Sequence, residues 1–121
     1  MSCIPRRLFL VFVALLIPVL SHQPSLKPPF ELFPHQDKVF HIIEYGGLAL
    51  AMVLNSDLFR RAGGSRGMFA SGLIWAVLDE IHQAYVPGRD CSLQDLAADA
   101  AGLAVGVLLF SAILASGRKA T

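Results

Sequence analysis

The segment that decides the fold runs from Leu96 to Ala115 and reads LAADAAGLAVGVLLFSAILA. Asp99 is its one charged side chain, and the other residues are apolar or small. An α-helix rises about 1.5 Å per residue, so about twenty such residues cross the hydrocarbon core of a bilayer. We therefore predict a membrane-spanning helix over this segment.

Three further apolar segments, Leu8–Leu20, Val39–Leu54 and Met68–Val86, have similar composition. Lipid offers no partner to backbone N–H and C=O groups, so apolar segments without the alternation of barrel strands are predicted to be helices. Only 16% of the residues are charged and the mean hydropathy is +0.58, whereas soluble domains carry about 25% charged residues. We predict an all-α polytopic bundle in a single domain over residues 1–121. Its transmembrane helices are expected at about 4–20, 39–54, 68–86 and 96–115.

The first segment also permits a second interpretation, a cleaved signal peptide. It is short, and Val19 and Ser21 satisfy the small-residue rule for cleavage. Against cleavage, Ile4 extends the apolar run, so we favour a retained helix that Pro18 kinks or ends. Cleavage would leave a bundle of three helices.

Basic residues are distributed unevenly between the two sides of the membrane if the termini and loops lie alternately on one side and the other. One set carries Arg6, Arg7, Arg60, Arg61, Arg66, Arg118 and Lys119, and the other set carries Lys27, Lys38 and Arg89. Short cytoplasmic loops are enriched in Lys and Arg, so this asymmetry predicts that both termini are cytoplasmic.

Polar residues concentrate at the opposite, outer ends of the predicted helices. Many of these residues are three or four positions apart in the sequence, so they share a helix face. A charged side chain at membrane depth costs several kcal/mol unless it contacts a partner or water. We therefore expect these faces to converge in a shared, outward-open polar pocket. The candidate site residues are Asp37, Lys38, His41, Glu44, Tyr45, Asp79, Glu80, Gln83, Arg89, Ser92, Asp95 and Asp99.

Two structural interpretations of the same residues stay open. The polar groups can form an ion-pair network with no ligand, and those nearest the interface can be solvated helix ends. Arg89, which follows the turn Pro87-Gly88, can bridge carboxylates or bind a phosphate bidentately. Gly102 and Gly106 form a G-x-x-x-G pair that allows close helix packing, within the chain or between copies.

Neither a cofactor nor a metal is predicted from the spacing of the residues. No H-E-x-x-H or comparable metal motif occurs, and Cys3 and Cys91 lie on opposite sides in the predicted topology, so no disulfide is expected. No nucleic-acid partner is predicted either.

A set of short motifs in this chain resembles the VanZ-like family of small bacterial membrane proteins. The motifs are Asp37-Lys38 with His41 and Tyr45, Asp79-Glu80-x-x-Gln83, Pro87-Gly88-Arg89, Ser92, Asp95 and Gly102. The resemblance runs from Asp37 to about Gly106, and the chain departs from the family at Asp99, where Asn is usual.

The resemblance implies a multi-pass protein of the bacterial inner membrane. The family's namesake contributes to resistance against the glycopeptide antibiotic teicoplanin, but the resemblance names no reaction. Our first hypothesis is a protein that binds or modulates an envelope lipid or cell-wall precursor, with the bilayer as its surroundings. The alternative is an intramembrane enzyme, metal-dependent or acid–base, acting on a lipid headgroup. A proton-coupled carrier is disfavoured because the inner halves of the helices are apolar, and homo-oligomerisation is left open.

Overall fold

The computed structural model describes residues 2–22 and 32–119, which form four α-helices, one short 3-10 helix and no strand. The α-helices are α1 (Cys3–Ser21), α2 (Gln36–Leu54), α3 (Ser65–Ala84) and α4 (Leu93–Lys119), and the 3-10 helix is Ser56–Phe59. The prediction of an all-α bundle of four helices is confirmed. Lys27, which is one of the basic residues counted for the topology, lies in residues 23–31, outside the described part of the chain.

Successive helices run in opposite directions, so the bundle has two chemically different ends. The start of α2 meets the start of α4, where His41 Nδ1 is 2.8 Å from Asp99 Oδ1. The ends of α1 and α3 meet at the same end of the bundle, where Ser21 Oγ donates to Asp79 Oδ2 over 2.8 Å. We call this the acidic end, and the opposite end, with Arg7 and the α2 to α3 connection, the basic end.

Helices α2 and α4 pack with their backbones unusually close. A Cβ atom on Gly102 would lie 2.5 Å from the Ile42 carbonyl oxygen, and one on Gly106 would lie 2.6 Å from the Ala49 Cβ. Any larger side chain would force the helices apart. The two glycines therefore serve packing within this chain, and they hold the two polar helix starts against each other.

Pro18 does not end α1, which continues to Ser21. A proline lacks the N–H that would bond the carbonyl four residues earlier, here that of Ala14. The Trp75 indole N–H from α3 donates to the Ala14 oxygen over 3.1 Å. The side chain of a neighbouring helix thus satisfies the acceptor that Pro18 leaves open.

A hydrogen-bonded circuit at the basic end joins α1 to the end of α2. Asn55, which is fully buried, donates from Nδ2 to the backbone oxygens of Arg6 and Ala51, each over 2.8 Å, and accepts from Arg7. Arg7 also forms an ion pair with Asp57, and this hydrogen bond from Arg7 lowers the pKa of the Asp57 carboxyl. The start of α1 is therefore fixed to the bundle by polar contacts.

Among the described residues, two helices, α1 and α4, are long and apolar enough to cross a membrane by length and composition. Each has a mean hydropathy of 2.1 over its most apolar window, of which only 11% and 22% is buried inside the bundle. Leu8, Phe12 and Leu108, for example, are all more than half exposed. Helices α2 and α3 carry most of the polar residues of the acidic end.

Candidate functional site

The first polar group of the acidic end lies between α2 and α4. His41 is 8% exposed and Asp99 is fully buried, and the His41 Nε2 atom lies 3.7 Å from Asp95 Oδ1. The Lys38 ammonium forms ion pairs with both Asp37 and Asp95. This group is therefore a chain of alternating basic and acidic side chains that becomes more buried toward Asp99.

The second polar group lies between α1 and α3. Asp79 Oδ2 accepts from Ser21 Oγ and also from Gln83 Nε2, the latter over 3.1 Å. Gln83 Oε1 accepts from the Arg89 guanidinium over 2.9 Å. Asp79 and Gln83 are 4% and 1% exposed, so this group reaches into the interior of the bundle.

A tight turn after α3 brings Arg89 back over that helix. The Arg89 N–H donates to the Val86 oxygen over 3.1 Å, and Gly88 has a φ of 80°. Pro at the second position and Gly with positive φ at the third are typical of a type II turn. The Pro87-Gly88 pair that the sequence singles out therefore positions the guanidinium beside Gln83.

Glu80 connects the two polar groups. One carboxylate oxygen lies 3.5 Å from Gln83 Nε2, and the other accepts the backbone N–H of Ser92 over 3.0 Å. Ser92 Oγ in turn accepts the N–H of Asp95 over 3.3 Å, which is the hydrogen bond of an N-cap at the start of α4. Glu80, at 2% exposure, thus fixes the start of α4 relative to the end of α3.

Four buried side-chain atoms at this end have no hydrogen-bond partner among the described residues: Asp79 Oδ1, Asp99 Oδ2, the Tyr45 hydroxyl and His82 Nδ1. The first three belong to residues that are at most 4% exposed. An unsatisfied buried polar atom costs on the order of 1–3 kcal/mol, and it calls for an explanation such as a ligand, ion or water. These atoms are the strongest indication in the site that something else binds there.

The remaining predicted residues have different surroundings. Glu44 is half-buried and forms no hydrogen bond or ion pair within residues 2–22 and 32–119. Tyr45 follows His41 by one helical turn and is fully buried. His82, which is not one of the predicted residues, stacks its ring on that of His22 with centroids 5.2 Å apart.

Ser21 belongs to the second polar group, and it is not among the residues predicted from the sequence. In the sequence it stands out only as a small residue at the end of the first apolar segment. The signal that could have found it is a polar side chain at the outer end of the first helix, level with Asp79 on a parallel helix.

An open pocket at the acidic end stays a prediction. A cavity of about 330 Å³ lies at the basic end, where its lining includes Arg60, Ser65 and Arg118.

The chain was compared with known families, proteins and structures. The model of the VanZ/LLP1 family matches residues 7–115, nearly the whole chain. The chain belongs to the VanZ/LLP1 family. No curated protein and no solved structure matches it significantly. The resemblance drawn from the sequence motifs is thus confirmed, and together with the two apolar helices it indicates a membrane protein.

Proposed function

We propose that this VanZ-family protein binds the headgroup of an envelope lipid or of a lipid-linked cell-wall precursor at its acidic end. In this proposal the protein is a multi-pass protein of the bacterial inner membrane, the acidic end faces outward and both termini are cytoplasmic. The observation that carries the proposal is the unpartnered, buried oxygen of Asp79, which is a ready acceptor for a ligand.

The charge of the site favours a ligand that contains an amine. Six of the candidate residues are carboxylic acids, whereas Lys38 and Arg89 are the permanent cations among them. An ammonium group can donate to Asp79 Oδ1, because that atom has no partner among the described residues. Envelope lipids and peptidyl precursors supply such amines.

Arg89 adds a second contact of a different kind. Gln83 holds its guanidinium next to the Asp79 group, and a guanidinium binds phosphate bidentately. A headgroup with an amine and a phosphate would therefore satisfy both parts of the site. Interference with glycopeptide action, including that of teicoplanin, would follow if the bound molecule were a cell-wall precursor.

Native mass spectrometry of the protein extracted from its membrane tests this proposal. We expect a co-purifying lipid that is depleted at least about tenfold in Asp79→Asn and Arg89→Lys, since these changes remove a charge or the bidentate geometry while keeping size. Asp57→Asn, which alters an ion-paired carboxylate at the basic end, is the matched control and should retain the lipid. Equal lipid occupancy in all four proteins would refute the proposal, and loss of membrane abundance in step with lipid loss would favour a structural network.

An acid–base enzyme acting on a headgroup is the second candidate. It is favoured by the His41–Asp99 pair, because a carboxylate at Nδ1 orients an imidazole so that Nε2 can take a proton. Incubation with labelled envelope lipids would separate the candidates: release of a headgroup that His41→Gln abolishes supports the enzyme, and intact lipid supports binding alone.

A further inference from the structure

Three potential metal-ligand side chains from three different helices converge at the acidic end. His41 of α2, Glu80 of α3 and Asp95 of α4 each place one ligand atom within 4.8 Å of the others. Ligands around a tetrahedral zinc ion lie about 3.4 Å apart, as follows from bond lengths of about 2.1 Å. Small side-chain adjustments would therefore bring these atoms to ligating distance.

The His41 imidazole is already oriented for metal binding. Asp99 Oδ1 lies 2.8 Å from Nδ1, so the carboxylate accepts a hydrogen bond from Nδ1–H and leaves the Nε2 lone pair directed toward the Asp95 side. Metal-ligating histidines almost always donate their other ring N–H to a carboxylate or carbonyl in this way. Asp99 thus lies where the hydrogen-bond partner of a metal-ligating histidine usually lies.

A separate observation indicates that a ligand belongs here. The Tyr45 hydroxyl is fully buried and has no hydrogen-bond partner among the described residues. Tyr45 shares a helix face with His41 and lies one helical turn deeper in the bundle. A metal-bound water or hydroxide would give this hydroxyl the partner that it lacks.

We propose that His41 Nε2, Glu80 and Asp95 form a binding site for a divalent transition-metal ion of the zinc or manganese type. A mixture of imidazole and carboxylate suits these ions better than Mg²⁺ or Ca²⁺, which prefer oxygen ligands. Lys38, which pairs with Asp95, competes for the same carboxylate and must move its ammonium toward Asp37 when the metal binds. The metal site does not depend on the proposed lipid function, because Asp79 and Arg89 are not among its ligands.

Metal titration of the full-length protein in detergent, purified without a polyhistidine tag and treated with chelator, tests the site. We expect one Zn²⁺ per chain by calorimetry and no binding of Mg²⁺ at the same concentration. Binding should weaken at least about tenfold in His41→Gln and Asp95→Asn, and by about 10–100-fold in Asp99→Asn, where only the partner of His41 changes.

Two further variants keep the test decisive. His82→Gln alters the nearby His22–His82 pair and should leave Zn²⁺ affinity unchanged, whereas loss of binding in that variant would move the site to this pair and overturn the proposal. Lys38→Gln removes the competing cation and should bind Zn²⁺ several-fold more tightly, a gain that misfolding does not produce. Absence of stoichiometric Zn²⁺ binding, or equal affinity in wild type, His41→Gln and Lys38→Gln, would refute the site.

Discussion

At the scale of single residues, Asp99 is the most completely buried carboxylate among the described residues of the acidic end. It is fully buried, and one of its oxygens accepts from His41. Asn preserves that acceptor and the shape of the side chain, whereas Leu removes it and leaves the His41 N–H unpaired. We predict that Asp99→Asn keeps wild-type stability to within about 1 kcal/mol and that Asp99→Leu loses about 1–3 kcal/mol. Reversible unfolding in detergent micelles measures both values, and equal loss in both variants would mean that charge matters here rather than hydrogen bonding.

Residue spacing predicted part of this site and could not predict the rest. Asp79, Glu80 and Gln83 share a face because of helical periodicity alone, and a sequence shows that directly. Two other contacts depend on how separate helices pack. They are the contact of Ser21 with Asp79 and the contact of Glu80 with the Ser92 backbone. No local pattern encodes those distances, so the grouping of His41 with Glu80 and Asp95 emerges only in three dimensions.

At the scale of helices, the Pro18–Trp75 relation yields a test of how α1 is held in the bundle. Trp75→Phe removes the donor to the Ala14 oxygen, whereas Pro18→Ala restores a backbone N–H that can take its place. We predict that Trp75→Phe costs about 1–3 kcal/mol in the wild type and about 1 kcal/mol less in the Pro18→Ala background. The loss of indole volume is common to both backgrounds and cancels in the double-mutant cycle. Additive effects within experimental error would contradict the shared acceptor.

The helices themselves were more predictable than their connections. Apolar length predicted all four elements, because spanning segments need a minimum run of hydrophobic residues. Hydropathy did not predict the 3-10 helix Ser56–Phe59 or the extension of α4 to Lys119. Polar residues end an apolar segment in the sequence, but they do not end a helix. Pro18 likewise gave an ambiguous signal, because its effect depends on Trp75, which lies 57 residues further along the chain in α3.

At the scale of the whole molecule, the two ends of the bundle separate charge. Buried carboxylates gather at the acidic end, whereas Arg6, Arg7 and Asn55 form the polar circuit at the basic end. Arginine-rich segments stay in the cytoplasm, so the basic end is expected inside and the acidic end outside. This orientation would present the acidic end to envelope molecules, and it determines which of the proposed ligands the site can reach.

The two cysteines report this orientation directly. Cys3 and Cys91 are both exposed, and they lie at the basic and acidic ends respectively, so the side of the membrane should decide their reactivity. We predict that a membrane-impermeant maleimide labels Cys91 in intact spheroplasts and labels Cys3 only after permeabilisation. The single variants Cys3→Ser and Cys91→Ser assign each signal, and denatured protein sets the full labelling level. Labelling of Cys3 in intact spheroplasts while Cys91 stays protected would contradict this topology and place the acidic end in the cytoplasm. A site for envelope precursors at that end would then have to bind their cytoplasmic forms.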